Sequence, residues 1–215
     1  MIKVLLVDDH DLVRLGVKRL LQDANGIKVV GEAGTGEEAI KLMKELSPDV
    51  IIMDVQMPGI GGLEATRKIV RHNPMVKILA LTVCEEEPYP SSFLKAGAAG
   101  YITKGCSAEE MIKAIRMLYA GDRYISPEIA QQIALKRFSP EEKSPLDVLS
   151  ERELQVTMMI SQGQSAQQIA EKLYVSPKTI NSYRYRIFEK LGIKSDVELT
   201  LLVMRLSTKA GEKDR

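Results

Sequence analysis

The sequence contains no tryptophan, and so it offers no large aromatic platform of the kind on which planar ligands stack. Its two cysteines, Cys84 and Cys106, are too few for the disulfide framework of a small secreted domain. Apolar runs such as Val50–Met53 reach only four or five residues, whereas a membrane-spanning helix needs about 20. Because Asp8 and Asp9 interrupt the first apolar run, we expect no secretory signal and a cytoplasmic location.

The chain also lacks a strong net charge of one sign. Its 215 residues carry a formal net charge of +1 and 45% of them are hydrophobic, so a chain that is disordered throughout is excluded. Basic residues concentrate in residues 172–194, which hold six of them and one acidic residue, Glu189. Such a segment either attracts a polyanion such as nucleic acid or forms the solvated face of a helix, and charge alone leaves both interpretations open.

Residues 1–120 alternate short apolar runs with segments of helical spacing. The runs predict five buried strands: Ile2–Val7, Val29–Ala33, Val50–Met53, Lys77–Leu81 and Gly100–Ile102. Helices are predicted at Leu12–Leu21, Glu37–Leu46, Leu63–Arg71 and Phe93–Ala96, with a fifth after Ser107. This alternation predicts an α/β domain of the flavodoxin-like, doubly wound class, with a five-stranded parallel sheet between two helical layers.

The pattern becomes helical from residue 121 onward. Residues 121–145 are predicted to be a linker with a short helix at Ile129–Arg137, because the segment ends in a polar stretch punctuated by proline. Residues 146–208 contain only helical patterns and are predicted to form a second, all-α domain. Residues 209–215 are assigned to a tail.

Polar side chains follow the predicted strands of the first domain. Asp8 and Asp9 follow the first strand, Asp54 the third, Thr82 the fourth and Lys104 the fifth. Any one of these aspartates alone is better explained as a turn former, but together they lie where open α/β sheets bind ligands. Three neighbouring carboxylates repel one another unless a cation lies among them, and oxygen ligands suit Mg²⁺. One carboxylate can then act as nucleophile toward a phosphoryl group, whose oxygens a lysine and a hydroxyl can hold.

Four motifs around these positions resemble the receiver domain of two-component response regulators. They are Val-Asp-Asp-His at 7–10, Met-Asp-Val-Gln-Met-Pro-Gly at 53–59, Leu-Thr-Val at 81–83 and Ala-Gly-Ala-Ala-Gly-Tyr-Ile-Thr-Lys at 96–104. The resemblance covers residues 1–120 and implies that Asp54 accepts a phosphoryl group from a histidine kinase. It also implies that Mg²⁺ is bound by Asp8, Asp9, Asp54 and the backbone carbonyl of Gln56.

The same resemblance implies a switch. Thr82 would supply the hydroxyl drawn toward the phosphoryl group, Tyr101 would change rotamer with it, and Lys104 would pair with the phosphoryl oxygens. The sequence departs from many receivers at one position, since Gly105 follows Lys104 where those receivers have a proline after a cis peptide bond.

Two other classes of protein share part of this pattern. A phosphatase of the haloacid dehalogenase type also uses a strand-end aspartate and Mg²⁺, but it needs a second aspartate two residues later, where Gln56 stands. A DNA-binding protein with an inactive receiver would not need the complete set of Asp9, Asp54, Thr82 and Lys104. We therefore predict a regulator rather than an enzyme.

The segment 178–191 has an apolar stripe opposite a polar, largely basic face. On a helical projection, Ile187 and Leu191 fall within about 20° of Ile180. Arg184 lies about 40° from this stripe and is expected to extend to a phosphate. Asparagine can read adenine, while lysine, threonine, tyrosine and arginine commonly hold phosphates. The predicted DNA contacts are Lys178, Thr179, Asn181, Ser182, Tyr185, Arg186 and Lys190.

Motifs in residues 146–208 are similar to the LuxR-type helix-turn-helix domain. They are Leu-Ser-Glu-Arg-Glu at 149–153, Ile-Ala-Glu-Lys-Leu at 169–173, Val-Ser-Pro-Lys-Thr-Ile at 175–180 and Glu-Lys-Leu-Gly-Ile at 189–193. The resemblance implies a helix-turn-helix at about Ala166–Tyr185. The last helix, at residues 195–206, has more apolar residues than one face needs, and these either extend the core or form the homodimer contact that the resemblance implies.

The two domains together resemble the NarL/FixJ subfamily of response regulators, and the run at 181–191 looks like the GacA/SirA/UvrY group. The resemblance implies a transcription factor controlled by phosphorylation, whose targets include small regulatory RNA genes that it activates. It implies a membrane sensor histidine kinase and double-stranded DNA as partners, with RNA polymerase as a further candidate.

Overall fold

A computed structural model describes residues 1–82, 89–138 and 145–211. The chain divides into two compact units, Met1–Pro140 and Glu141–Arg215, and each is described by itself. Among the described residues, no helix is both long enough and apolar enough to cross a bilayer.

The first unit alternates strands and helices, as its apolar periodicity predicts. Its strands are β1 (Ile2–Val7), β2 (Ile27–Ala33), β3 (Val50–Asp54), β4 (Lys77–Thr82), β5 (Gly100–Thr103) and β6 (Tyr124–Ile125). Its helices are α1 (Asp11–Gln22), α2 (Gly36–Leu46), α3 (Gly61–His72), α4 (Tyr89–Lys95), α5 (Ala108–Ala120) and α6 (Pro127–Phe138).

All neighbouring strands of the sheet are parallel, in the order β2-β1-β3-β4-β5-β6. Successive side chains of each strand face opposite layers: Leu5 and Val7 pack with the buried residues of α2 and α3, and Val4 and Leu6 with those of α5. Because the strands are parallel, β1, β3, β4 and β5 end at one edge of the sheet. The fold thus gathers the residues that follow these strands.

The sheet has a sixth strand that the sequence analysis missed. Tyr124 pairs with Gly100 and Ile125 with Tyr101, so β6 extends the sheet beyond β5. A strand of two residues is too short to produce a recognisable alternation in the sequence. The predicted five-stranded sheet is corrected to six strands.

The segment assigned to a linker is largely part of the first unit. The short helix predicted at Ile129–Arg137 is present as α6, and Ile129 is fully buried in the core that includes Phe93. Residues 121–138 therefore pack on the sheet domain. The remaining proline-rich part of the predicted linker, residues 139–144, lies outside the described residues.

The second unit is entirely helical where it is described. A 3-10 turn (Pro145–Val148) precedes α7 (Glu151–Ser161), α8 (Ala166–Lys172), α9 (Pro177–Leu191) and α10 (Asp196–Gly211). The tail predicted from residue 209 is helical as far as 211, and the rest lies outside the described residues. The core consists of Val156, Ile160, Ile169, Ala170, Leu173, Ile180, Ile187 and Leu199.

Side-chain caps fix where the helices of the second unit begin. The hydroxyl of Ser150 accepts a hydrogen bond from the backbone N–H of Glu153, whose carboxylate accepts one from the backbone N–H of Ser150. The hydroxyl of Ser176 accepts from the N–H of Thr179 at the start of α9, with Pro177 as the first helical residue. These caps satisfy N–H groups that lack partners within the helix and thereby set the start of α9.

Candidate functional site

Four potential ligand side chains meet at the edge of the sheet where β1 and β3 end. Asp8, Asp9, His10 and Asp54 each contribute one oxygen or nitrogen atom, and these atoms all lie within 4.8 Å of one another. Asp8 and Asp54 are buried, whereas Asp9 and His10 are exposed. The adjacency of β1 and β3 in the sheet brings the two buried carboxylates together, as their strand-end positions predict.

The predicted lysine reaches this cluster from the end of β5. The Nζ atom of Lys104 lies 2.8 Å from Oδ2 of Asp54 and 2.7 Å from Oδ2 of Asp8. The backbone N–H of Lys104 donates to the carbonyl of Thr82, which ties the loop after β5 to β4. Burial lowers the pKa of Lys104, but hydrogen bonds and attraction from Asp54 and Asp8 raise it overall, so the side chain remains an ammonium.

The cluster holds more negative charge than one lysine balances. Burial raises the pKa of Asp54, the hydrogen bond from Lys104 lowers it, and repulsion from Asp8 raises it again, with a net increase from 3.8 to about 6. Lys104 is within ion-pair distance of Oδ2 of Asp8 as well, so its single ammonium is shared between two buried carboxylates, and Asp9 adds a third carboxylate to the cluster. Three carboxylates that converge around one ammonium are an oxygen donor set that suits a small, hard divalent cation, so the residues fit one.

Two neighbours hold the loop that carries Asp8 and Asp9. The backbone N–H of His10 donates to Oδ1 of Asp8 at 2.8 Å, and Nδ1 of His10 lies 2.9 Å from Oδ1 of Asp9. From α1, Nη1 of Arg14 donates to the carbonyl oxygen of Asp8 at 2.6 Å. Sequence reasoning did not identify Arg14, because a single basic residue on a helix gives no local signal of such a contact.

The loop between β3 and α3 is fastened close to Asp54. The backbone N–H of Gln56 donates to Oδ1 of Asp54 at 3.3 Å. Position 62 requires glycine, because a side-chain carbon at Gly62 would collide with the carbonyl oxygen of Asp54. On the outer side, Oε1 of Glu37 accepts a hydrogen bond from the N–H of Ile60 at 3.0 Å. Glu37 was also missed, since nothing in α2 alone indicates that it reaches this loop.

The two predicted switch residues lie on adjacent strands, both fully buried. Thr82 ends β4, and Tyr101 lies within β5, where its ring meets that of Phe93 edge to face with centroids 6.1 Å apart. Residues 83–88, which follow Thr82 in the chain, lie outside the described residues. Tyr101 pairs with Ala80 and Thr82 pairs with Thr103, so the two switch residues lie on neighbouring strands, two positions apart in register.

Helix α9 presents the polar face that its sequence predicts. Ile180 and Ile187 are fully buried, and the opposite side of the helix is exposed. Six of the seven predicted DNA contacts are exposed, namely Lys178, Asn181, Ser182, Tyr185, Arg186 and Lys190, and Thr179 is half-buried.

Two basic side chains of α9 are paired within the domain. The Nζ atom of Lys190 lies 2.6 Å from Oε2 of Glu153 on α7, so this predicted DNA contact is held by an internal carboxylate. Arg184, which was expected to extend to a phosphate, instead meets the carboxylate of Asp196 on α10 with distances of 2.6 Å and 3.1 Å. Both pairs join the candidate recognition helix to a neighbouring helix.

Helix α10 has one buried and one exposed apolar side. Leu199 is fully buried in the core of the domain, whereas Val197 is 69% exposed and Leu201 48% exposed. Met204 is exposed as well, and the spacing of these three residues places them on one face. The apolar surplus of this helix thus serves the core in part and leaves an apolar surface on the domain.

Comparison with known proteins finds one family match in each of the two parts of the chain that carry a candidate site. Residues 4–116 match the response regulator receiver domain, and residues 147–203 match the luxR family of bacterial regulatory proteins. The chain is 62% identical to the response regulator GacA of Pseudomonas syringae over 206 residues, which are 95% of this chain and 96% of that protein. It is 57% identical to the response regulator UvrY of Escherichia coli, covering 95% and 94% of the two chains.

Solved structures give the same two-domain match. A structure of two RcsB dimers bound to two parallel DNAs aligns with a TM-score of 0.59 and 27% identity, covering 94% of this chain and 98% of that one. The acidic cluster with Lys104 lies in the part of the chain that matches the receiver domain, and the polar face of α9 lies in the part that matches the luxR family. The chain belongs to the two-component response regulators that join a phosphoacceptor receiver domain to a LuxR-type DNA-binding domain.

Proposed function

We propose that Asp54 accepts a phosphoryl group from a phosphohistidine of a membrane sensor kinase, and that this modification controls DNA binding and transcription. The observation that carries the proposal is the position of Lys104, whose ammonium lies within 2.8 Å of both Asp54 and Asp8. No other lysine among the described residues pairs with a buried strand-end aspartate of the sheet in this way.

In the transfer, an oxygen of Asp54 forms a bond to phosphorus while the bond between phosphorus and the kinase imidazole breaks. The imidazole, protonated on its other ring nitrogen, takes the electron pair of the broken bond and leaves as the neutral base. Lys104 would pair with the phosphoryl oxygens, and Thr82 would donate its hydroxyl to them. Mg²⁺ would be held by Asp8, Asp9, Asp54 and the carbonyl of Gln56, and when bound it neutralises the charge of the carboxylates and phosphoryl oxygens.

The DNA-binding domain is proposed to place α9 in the major groove. Asn181 would contact base edges, while Lys178, Thr179, Ser182, Tyr185 and Arg186 would hold phosphates, with Lys190 as a further contact. From the resemblance of residues 181–191 to the GacA/SirA/UvrY group, we also propose targets that include small regulatory RNA genes, activation at those genes in contact with RNA polymerase, and a cytoplasmic location.

A dimer is proposed to form through α10, within residues 195–206. The exposed apolar residues Val197, Leu201 and Met204 support this contact, because burying them against a second copy removes apolar area from water. The DNA complex of RcsB dimers gives a precedent in a related two-domain chain.

The proposal is tested by intact-mass measurement after incubation with acetyl phosphate. We expect one added phosphoryl group in the presence of Mg²⁺, none in EDTA and none in Asp54→Asn. The matched control is Asp23→Asn, an exposed aspartate elsewhere in the receiver, which should be labelled like the wild type. Full labelling of Asp54→Asn would contradict the proposed acceptor, and unchanged DNA affinity after labelling of the wild type would contradict the proposed control.

A further inference from the structure

Arg184 on α9 lies between an acidic residue of α10 and an amide of its own helix. Its Nη2 donates to Oδ2 of Asp196 at 2.6 Å and its Nε to Oδ1 at 3.1 Å, so the guanidinium meets both carboxylate oxygens. Its Nη1 donates to Oδ1 of Asn181 at 3.4 Å. The guanidinium also lies over the ring of Phe188, with its central carbon 5.9 Å from the ring centroid.

We propose that Arg184, held by Asp196, is a positioning residue that sets how Asn181 reads a base pair. The proposal rests on the proposed DNA-binding role of α9 and adds how one side chain of that helix selects a base. It also ties that reading to the first turn of α10, where Asp196 lies.

The orientation of the Asn181 amide follows from the chemistry of its partner. A guanidinium has donors and no acceptor, so the atom of Asn181 that faces Arg184 is the carbonyl oxygen. The hydrogen bond from Arg184 takes one of the two lone pairs of this oxygen and turns the oxygen toward the guanidinium, so the amide N–H₂ group faces away from Arg184. An asparagine held in this orientation offers two donors and a weakened acceptor to the major groove.

An asparagine held in this orientation has a different base preference from an unconstrained one. An unconstrained asparagine reads adenine by accepting from N6 and donating to N7. With its oxygen turned toward Arg184, Asn181 can still donate to N7 and O6 of guanine, which are both acceptors, but its hydrogen bond from adenine N6 is weakened. We therefore expect the wild type to prefer guanine over adenine at the position that Asn181 contacts, by about tenfold.

The pairing of Arg184 with Asp196 favours a positioning role for Arg184 over a phosphate contact. Asp196 already supplies an anion at two points, so a phosphate would have to displace a paired carboxylate. A residue that holds a phosphate releases counterions, and its loss lessens the salt dependence of binding. Arg184 should contribute little to that dependence.

The second internal pair of α9 provides a matched control. Lys190 and Glu153 also join α9 to a neighbouring helix, but no contact links them to Asn181 among the described residues. Glu153→Gln therefore weakens the contact between α9 and α7 without changing the orientation of the Asn181 amide. A general loosening of the helix would alter base preference in both kinds of variant, whereas the proposal confines the change to Arg184 and Asp196.

The test is selection of binding sites from randomised DNA by the full-length chain treated with acetyl phosphate, with thermal unfolding of each variant as a folding control. Arg184→Met should move the guanine-to-adenine ratio at one position per half-site toward adenine by about tenfold. Arg184→Lys should shift it in the same direction, because an ammonium cannot reproduce the guanidinium fork. Asp196→Asn should cause a smaller shift, and Glu153→Gln none.

A double variant separates this proposal from the broader one. In an Asn181→Ala background, Arg184→Met should have no further effect on base preference. If Asn181→Ala alone leaves the preference unchanged, both the assigned recognition face and the positioning role are wrong. If Asn181→Ala changes the preference but Arg184→Met lowers affinity equally for all sequences and lessens the salt dependence, Arg184 is a phosphate contact and the positioning role alone is overturned.

Discussion

The ammonium of Lys190 lies 2.6 Å from Oε2 of Glu153, so a single ion pair joins the C-terminal end of α9 to the first turn of α7. The same carboxylate accepts the backbone N–H of Ser150 in the capping box. Burial raises the pKa of Glu153, but the hydrogen bonds from Lys190 and from Ser150 lower it overall. One buried carboxylate thus fastens the recognition helix and caps a neighbouring helix.

We predict that Glu153→Gln destabilises the DNA-binding domain at neutral pH by on the order of 1 kcal/mol. Because the folded-state pKa of Glu153 is below its ordinary value of 4.5, its stabilisation is present above that pH and is lost as the pH falls through the folded-state pKa. Urea unfolding should therefore show a difference from the wild type at pH 7 that diminishes as the pH falls below 4.5. An equal difference at both pH values would show that the charge of Glu153 contributes nothing.

How far the sequence predicts the receiver depends on whether a signal is local. The strand ends carry Asp8, Asp54 and Lys104, and parallel topology alone requires that residues at strand ends meet at one edge. This is why the acidic cluster could be predicted before its geometry was known. The contacts of Arg14 with Asp8 and of Glu37 with Ile60 could not, because they are made by side chains whose direction depends on packing.

In the DNA-binding domain, too, some features follow from a local sequence pattern and others depend on packing between helices. Helical periodicity predicts that Ile180 and Ile187 are buried and that the opposite face is exposed, and both hold. Periodicity cannot predict that Arg184 meets Asp196, since the loop between α9 and α10 sets that distance. A projection of one helix places Arg184 near the boundary of the polar face but contains no information about α10.

Asp54 should cost the receiver stability when no cation is bound. Its folded-state pKa is raised from the ordinary value of 3.8 to about 6. The wild type therefore loses folding stability as the pH rises from 3.8 to about 6. In EDTA at pH 8, Asp54→Asn should be more stable than the wild type by on the order of 2–3 kcal/mol, with a smaller gain at pH 5. Thermal unfolding measures both. Added Mg²⁺ should raise the midpoint of the wild type more than that of the variant, and an equal rise would argue against Asp54 as a ligand.

Glu37 should affect the site without touching it. Glu37→Ala removes the acceptor for the N–H of Ile60 and loosens the loop that carries the Gln56 carbonyl, so we expect about tenfold weaker Mg²⁺ affinity. Titration of the wild type and variant with Mg²⁺, followed by thermal midpoint, measures this change. Glu37→Gln keeps an acceptor oxygen and should retain most of the affinity. Glu45→Ala, an exposed change on the same helix, serves as the control and should match the wild type.

The turn between α8 and α9 contains backbone strain. Tyr174 has a φ of 50°, in the left-handed region that side chains beyond glycine disfavour, and its side chain is 72% exposed. Tyr174→Gly should therefore stabilise the domain by about 1 kcal/mol despite the loss of a side chain. Tyr174→Ala removes the ring but retains a β-carbon, so it should give little gain in urea unfolding. Equal stabilisation by both variants would assign the effect to the exposed ring instead of the backbone.

The pairing of Lys190 with Glu153 separates two basic residues that the sequence alone treats alike. Lys178 lies exposed in the first turn of α9, and Lys178→Ala should weaken binding to all DNA sequences and reduce the slope of log affinity against log salt by about 0.9. Lys190→Ala should change that slope less, because its ammonium is already balanced by a buried carboxylate. In a Glu153→Gln background the ammonium is released, and Lys190→Ala should then reduce the slope nearly as much as Lys178→Ala does. Salt titrations of DNA binding by fluorescence anisotropy measure the slopes of the wild type, the three single variants and the double variant. A large effect of Lys190→Ala in the wild type, with no increase in the Glu153→Gln background, would mean that Lys190 leaves Glu153 whenever DNA is bound.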